Sequence, residues 1–130
     1  MLAMEVHGRR YTAYHRPADF FQAWQQCRLM GGQLAPIESE QENSQVVAAI
    51  RAVGDLRQQW IIGGTDVGFD GNFLWIGLNQ QINYANFFDG EPNNHNGGED
   101  CLTIGIAGTD KWNDIPCHHR QIGFVCAFTD

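Results

Sequence analysis

The chain has 130 residues, 43% of them apolar, and a formal net charge of −7. That length and apolar share suffice for one compact domain with a buried core, read here as a single unit over residues 1–130. The acidic balance argues against nucleic acid and anionic membranes as partners, and no apolar run of about 18 residues is present to insert into a bilayer.

The opening MLAMEV lacks the basic start and apolar centre of a signal peptide. RRYTAY (9–14) predicts a strand, which could pair with the last strand and bring the chain ends together. ADFFQAWQQCRLMGG predicts a helix, with Asp19 as N-cap, Gln22 three residues on, and Gly31 and Gly32 as the stop. Phe20, Ala23, Trp24 and Cys27 fall on one face of it, which turns Cys27 inward. A second helix starts at SEQE, where Ser39 and Glu42 form a capping box, and runs through Val46, Val47 and Ile50 to about Gly54.

Beyond it, WIIGG (60–64), NFLWIG (72–77), CLTIGI (101–106) and IGFVCAF (122–128) read as short strands. In the last, Ile122, Phe124, Cys126 and Phe128 alternate onto one face. Between 77 and 101 lies a long polar stretch with brief strand signals around INYANF, and long loops inside a domain are usually functional. The expected fold is α+β, two helices followed by short antiparallel sheets.

Cysteines stand at 27, 101, 117 and 126, with no CxxC pair of the kind zinc sites use. Two disulfides and a secreted origin follow, and three pairings remain open. Cys101–Cys117 would close a short loop and Cys27–Cys126 would tie the first helix to the last strand, contributing about 3 and about 4–5 kcal/mol respectively. No N-x-[ST] sequon occurs.

The densest chemistry is EPNNHNGGEDC (91–101), followed by WND at 112–114. Glu91, Glu99, Asp100, Asp110 and Asp114 would repel one another, and the nearest cations in sequence, Lys111 and Arg120, are too few to neutralise them. A hard cation explains the composition better. Glu91, Asn93, Glu99, Asn113 and Asp114 offer carboxylate and amide oxygens, the ligands Ca²⁺ takes, and no soft donor. His118 and His119 invite a zinc reading, but neighbouring side chains project apart in extended chain, so they are read as surface residues.

EPN, GGEDC, WND with a cysteine behind it, and the late GFVC together resemble a C-type lectin domain in its short form. AWQQCRLMGGQLAPIESEQEN is similar to that family's two-helix segment, and GGTDVGFDGNFLW resembles secreted invertebrate members. The resemblance implies the pairings Cys27–Cys126 and Cys101–Cys117, a cis bond before Pro92, and a primary Ca²⁺ held by Glu91, Asn93, Glu99, Asn113 and Asp114. It implies that Glu91, Asn93, Glu99 and Asn113 also hydrogen-bond a bound sugar, with His95 packing against it. A second, weaker Ca²⁺ would use Asp66, Asp70, Asn94, Glu99 and Asp100, with Asn94 standing where an acid is usual.

The order Glu–Pro–Asn implies mannose-type selectivity: mannose, N-acetylglucosamine, glucose and fucose, through vicinal equatorial hydroxyls. Glycan recognition in innate immunity, outside the cell, is the role the resemblance implies; a sugar held by two hydroxyls binds weakly, so useful avidity would need several sites on one assembly. Glu91 and Glu99 could imitate the paired carboxylates of a glycosidase. Carboxylates committed to a metal are poor general acids, however, so no enzyme is expected. The rival reading is a lectin-like module that binds a protein or lipid partner. Relatives of that kind commonly lose EPN or WND, and this chain keeps both.

Overall fold

A computed structural model describes residues 8–68, 71–92 and 100–129. Along them run β1 (Arg9–Tyr14), α1 (Phe20–Leu29), β2 (Gln33–Leu34), α2 (Glu40–Arg51), β3 (Trp60–Thr65), β4 (Leu74–Trp75), β5 (Gln80–Gln81), β6 (Asp100–Ile106), β7 (Thr109–Pro116) and β8 (Gly123–Thr129).

Capping chemistry starts both helices. At α1 the Asp19 carboxylate accepts the Gln22 amide at 2.8 Å, and Gln22 Oε1 accepts the Asp19 amide at 3.0 Å, closing the box. At α2 only half of the expected box forms. Ser39 Oγ accepts the Glu42 amide, but Glu42 Oε1 takes the amide of Glu38 instead of Ser39, where Arg9 also grips it from β1. The helix ends at Arg51, short of the expected Gly54, whose amide still bonds the Ile50 carbonyl at 2.8 Å.

The strands join in one sheet with β1, β8, β3, β4 and β5 in order; β2 adds to β8, and β6 links β3 to β7. β1 pairs with β8 antiparallel from Arg9↔Thr129 to Tyr14↔Phe124, so the first and last strands lie side by side. The expectation of purely antiparallel pairing fails at β3, which runs parallel to β8 at Trp60↔Gly123 and Ile61↔Phe124. The intervening chain crosses over between them. β7 and β2 were not expected as strands at all, and NFLWIG contracts to the two residues of β4. Within β3, Gly63 abuts the Leu34 carbonyl so closely that a side chain there would collide with β2.

Strand alternation divides the core. Phe124, Cys126, Ile61 and Cys101 point to the α1 side with Phe20, Ala23 and Cys27. Val125, Ala127, Trp60, Ile62, Leu102 and Ile104 point to the other, with Val46 and Ile50 of α2. Both disulfides, Cys27–Cys126 and Cys101–Cys117, lie in the α1 half. Two sequence assignments need correction. Trp24 is 39% exposed, because the sheet covers only the narrow stripe of Phe20, Ala23 and Cys27 and Trp24 lies to one side of it. Ile122 precedes β8 and packs into the α2 half, not with Phe124.

Candidate binding site

Trp112 is the pivot. Fully buried on β7, it meets Trp75, Tyr84 and Phe87 edge-on at ring separations of 5.4, 5.8 and 5.5 Å, each pair contributing about 0.5–1.5 kcal/mol. Its indole N–H donates to Asn43 Oδ1 on α2 at 2.8 Å. Its backbone holds the long loop: the Trp112 amide donates to the Asn86 carbonyl and the Phe88 amide donates to the Trp112 carbonyl, both at 2.9 Å. Asn86 reinforces the joint, giving Nδ2 to the Asp110 carbonyl and receiving Lys111 Nζ on Oδ1.

From that joint the chain turns back through Phe88–Glu91, where the Glu91 amide bonds the Phe88 carbonyl at 2.8 Å. Gly90, at φ +86°, supplies the positive φ this turn requires at its third position. The half-buried Glu91 thus stands three residues beyond the anchor of Phe88 on Trp112, and the bond to Pro92 is cis.

Asn113 and Asp114 follow Trp112 on β7, paired with Thr103 and Leu102. Alternation puts Asp114 on the Trp112 side, 7% exposed, and Asn113 on the opposite face. There Asn113 Nδ2 donates to Gln59 Oε1 at 3.2 Å, and Thr103 Oγ1 donates to the same oxygen. Asp110 does not belong to this group: at the far end of β7, its Oδ2 accepts Asn43 Nδ2. The two cations closest in sequence are engaged elsewhere, Lys111 on Asn86 and Arg120 on Gln22 and the Pro17 carbonyl.

Asp66 and Asp100 meet where β3 and β6 part, and they are 2% and 3% exposed. Asp66 Oδ1 accepts the Asp100 amide at 2.7 Å and Oδ2 accepts the Gly71 amide at 2.9 Å. Asp70, Asn93, Asn94, His95 and Glu99 lie outside the described residues. Among the described residues, no three of His, Cys, Asp and Glu come together as a metal-binding group. His118 and His119 do not project apart. The chain turns there, with the His119 amide on the Pro116 carbonyl, and the two exposed rings meet at 4.8 Å.

Asn43, Asn86 and Gln59, which orient this region, were not singled out from the sequence. Asn43 left a signal: it occupies the stripe of Val46, Val47 and Ile50, where an amide calls for a buried partner.

A family model described as "Lectin C-type domain" matches residues 16–128. The chain belongs to the C-type lectin domain family. Perlucin-like protein from Mytilus galloprovincialis is 34% identical over 108 residues, covering 83% of this chain and 69% of that protein. Mannose-binding protein from Gallus gallus is 35% identical over 100 residues, covering 77% of this chain but only 36% of that protein. Among solved structures, the cow CD23 carbohydrate-recognition domain superposes with a TM-score of 0.80 at 30% identity, covering 94% of this chain and 88% of that one. C-type lectin domains are binding domains without catalytic activity, typically bind Ca²⁺ and are typical of disulfide-bonded extracellular proteins.

Proposed function

We propose that this C-type lectin domain binds carbohydrate in a Ca²⁺-dependent manner, with mannose-type selectivity: mannose, N-acetylglucosamine, glucose and fucose. The observation that carries the reading is the tethering of residues 86–91 to β7 at Trp112, which supports convergence of Glu91 with Asp114. Glu91, Asn93, Glu99, Asn113 and Asp114 would hold the ion, which would offer two coordination positions to vicinal sugar hydroxyls. Around it, carboxylate oxygens of Glu91 and Glu99 accept from those hydroxyls, and amides of Asn93 and Asn113 donate to them. The order acid–proline–amide at 91–93 sets which hydroxyl finds an acceptor and which a donor. His95 would pack against the ring.

Two relatives support the sugar class: one is named Mannose-binding protein, and the structure of the cow CD23 domain is in the presence of GlcNAc2Man3 oligosaccharide. The disulfides support work outside the cell, for which recognition of glycans in innate immunity is the reading. A sugar held by two hydroxyls binds at roughly millimolar Kd, about 4 kcal/mol, so useful avidity calls for several domains in one assembly.

A glycan array probed with and without EDTA tests this. Mannose, N-acetylglucosamine and fucose glycans should be bound, and chelation should abolish the signal. Binding that survives EDTA would point to the protein- or lipid-binding alternative, and galactose preference would refute the selectivity.

A further inference from the structure

Phe21, Trp24, Leu29 and Met30 all stand exposed on α1 or at its C-cap; among the described residues Val53 is the only other large apolar side chain so placed. Single exposed apolar residues are ordinary, whereas several together on one face mark a contact surface. Phe21, Trp24, Gln25 and Arg28 fall at i, i+3, i+4 and i+7, so they form one stripe, and together they line an open hollow. The stripe of Phe20, Ala23 and Cys27 beside it is the one that the sheet covers.

The charge around this stripe is opposite to that of the chain as a whole. α1 carries one base, Arg28, and no acid, in a molecule of net charge −7. A second hollow, lined by Arg16, Pro17, Gln22 and Gln26, adjoins the first at Gln25. Arg16 Nη1 donates to Gln26 Oε1 at 2.8 Å, and Arg120 donates to the Pro17 carbonyl at 3.1 Å and to Gln22 Oε1 at 3.5 Å. These acceptors are neutral, so they orient the guanidinium groups without cancelling their charge. Among the described residues no ion pair reaches Arg16, Arg28 or Arg120, whereas Arg9 and Arg57 each face a carboxylate. Asp19, the acid closest in sequence to Arg16, has its Oδ1 on the Gln22 amide at the start of the helix.

We propose that the exposed face of α1 is a docking surface for an acidic protein segment, whose carboxylates pair with Arg28 and Arg16 while an apolar side chain covers Phe21 and Trp24. Trp and Arg carry much of the energy in protein contacts, and here Trp24 and Arg28 stand one helical turn apart. A second copy of the chain fits less well, because two such faces would set Arg16, Arg28 and Arg120 of one against those of the other. An anionic membrane would meet a molecule of net charge −7. α1 packs in the half of the core that does not contain Trp112, so this surface is separate from the candidate sugar site and does not depend on the Ca²⁺ reading.

Selection of a displayed library of random peptides on the wild-type chain tests it, carried out in EDTA so that a Ca²⁺-dependent site is silent. The selected peptides should combine Asp or Glu with Leu, Phe or Trp. Synthesised and followed by fluorescence anisotropy, they should bind Arg28→Glu and Trp24→Ser about tenfold or more weakly than wild type, and should weaken with rising salt. Both substituted residues are exposed, so urea midpoints should match the wild type. Should Trp24→Ser not fold, Arg28→Glu decides alone. Selection of neutral or basic peptides, an affinity unmoved by Arg28→Glu, or failure to select any peptide would overturn the proposal. A wild-type dimer in sedimentation velocity that Trp24→Ser dissociates would overturn it in favour of a second copy. Co-flotation with vesicles of phosphatidylcholine and phosphatidylserine, abolished by the same substitution, would overturn it in favour of a lipid surface.

Discussion

Asn43 connects α2 to the site without approaching it, which makes Asn43→Ala a demanding test of the architecture. Asn43 is 1% exposed; its Oδ1 is the acceptor for the Trp112 indole at 2.8 Å, and its Nδ2 reaches Asp110 Oδ2 at 3.2 Å. Alanine would strand a fully buried indole N–H, at about 1–3 kcal/mol. The longer bond to the half-exposed Asp110 adds less than about 1 kcal/mol, because water can replace the partner. Helix propensity returns about 0.5 kcal/mol, since alanine suits a helix interior better than asparagine. The net destabilisation is about 2 kcal/mol, equivalent to a fall in Tm of roughly 6–10 °C for a chain of this size. Urea unfolding should show a lower midpoint with an unchanged m-value. A loss under about 0.5 kcal/mol would refute the reasoning, because it would mean that the indole finds another acceptor and that α2 does not hold Trp112.

The placement of Asn113 and Asp114 on opposite faces of β7 predicts unequal roles. Asp114→Ala should abolish Ca²⁺ binding, while Asn113→Ala, whose amide is held by Gln59, should weaken it less; equal losses by calorimetry would contradict this. Tyr11 supplies a pH dependence. Burial, and then the negative charge of Glu42, push its phenol well above the usual tyrosine value, while its hydroxyl donates to the Pro36 carbonyl. The unfolded chain loses this proton near pH 10 and the folded one does not, so stability is fully present below about pH 10 and falls as pH rises above it. Tyr11→Phe should flatten that alkaline limb in urea midpoints taken at pH 8 and 10.5, and an unchanged limb would contradict the assignment.

Strong local patterns carried much of the fold. RRYTAY, the Asp19 capping box and the buried positions of Cys27 and Cys126 all follow from spacing and end signals. β7 was hidden because TDKWNDIP has no apolar alternation to announce it; its pairing with β6 comes from the hairpin at Gly108 and from Trp112, not from its own propensity. Trp24 was misassigned because periodicity gives a face but not how wide a stripe the sheet will cover. At the candidate site the proposed ligands stand out as motifs, whereas the alternation dividing Asn113 from Asp114 and the double use of Asp66 are properties of the fold. Asp110 illustrates the same limit: four residues from Asp114 in sequence, it lies at the other end of a strand.

The Cys27–Cys126 bridge also decides how the domain carries mechanical load. Tension applied at Arg9 and Thr129 would peel β1 from β8 one rung at a time, an easy mode of opening. It would then reach the disulfide, which bypasses the 99-residue span between the two cysteines. The slack released is only that of residues 9–27 and 126–129, about 70 Å of extended chain. Beyond that length the force runs through a covalent bond between α1 and β8, and β3, β6, β7 and the loop held at Trp112 lie outside its path. Tension between the two chain ends would thus stretch the domain at its edge and leave the strand that carries Trp112 unloaded.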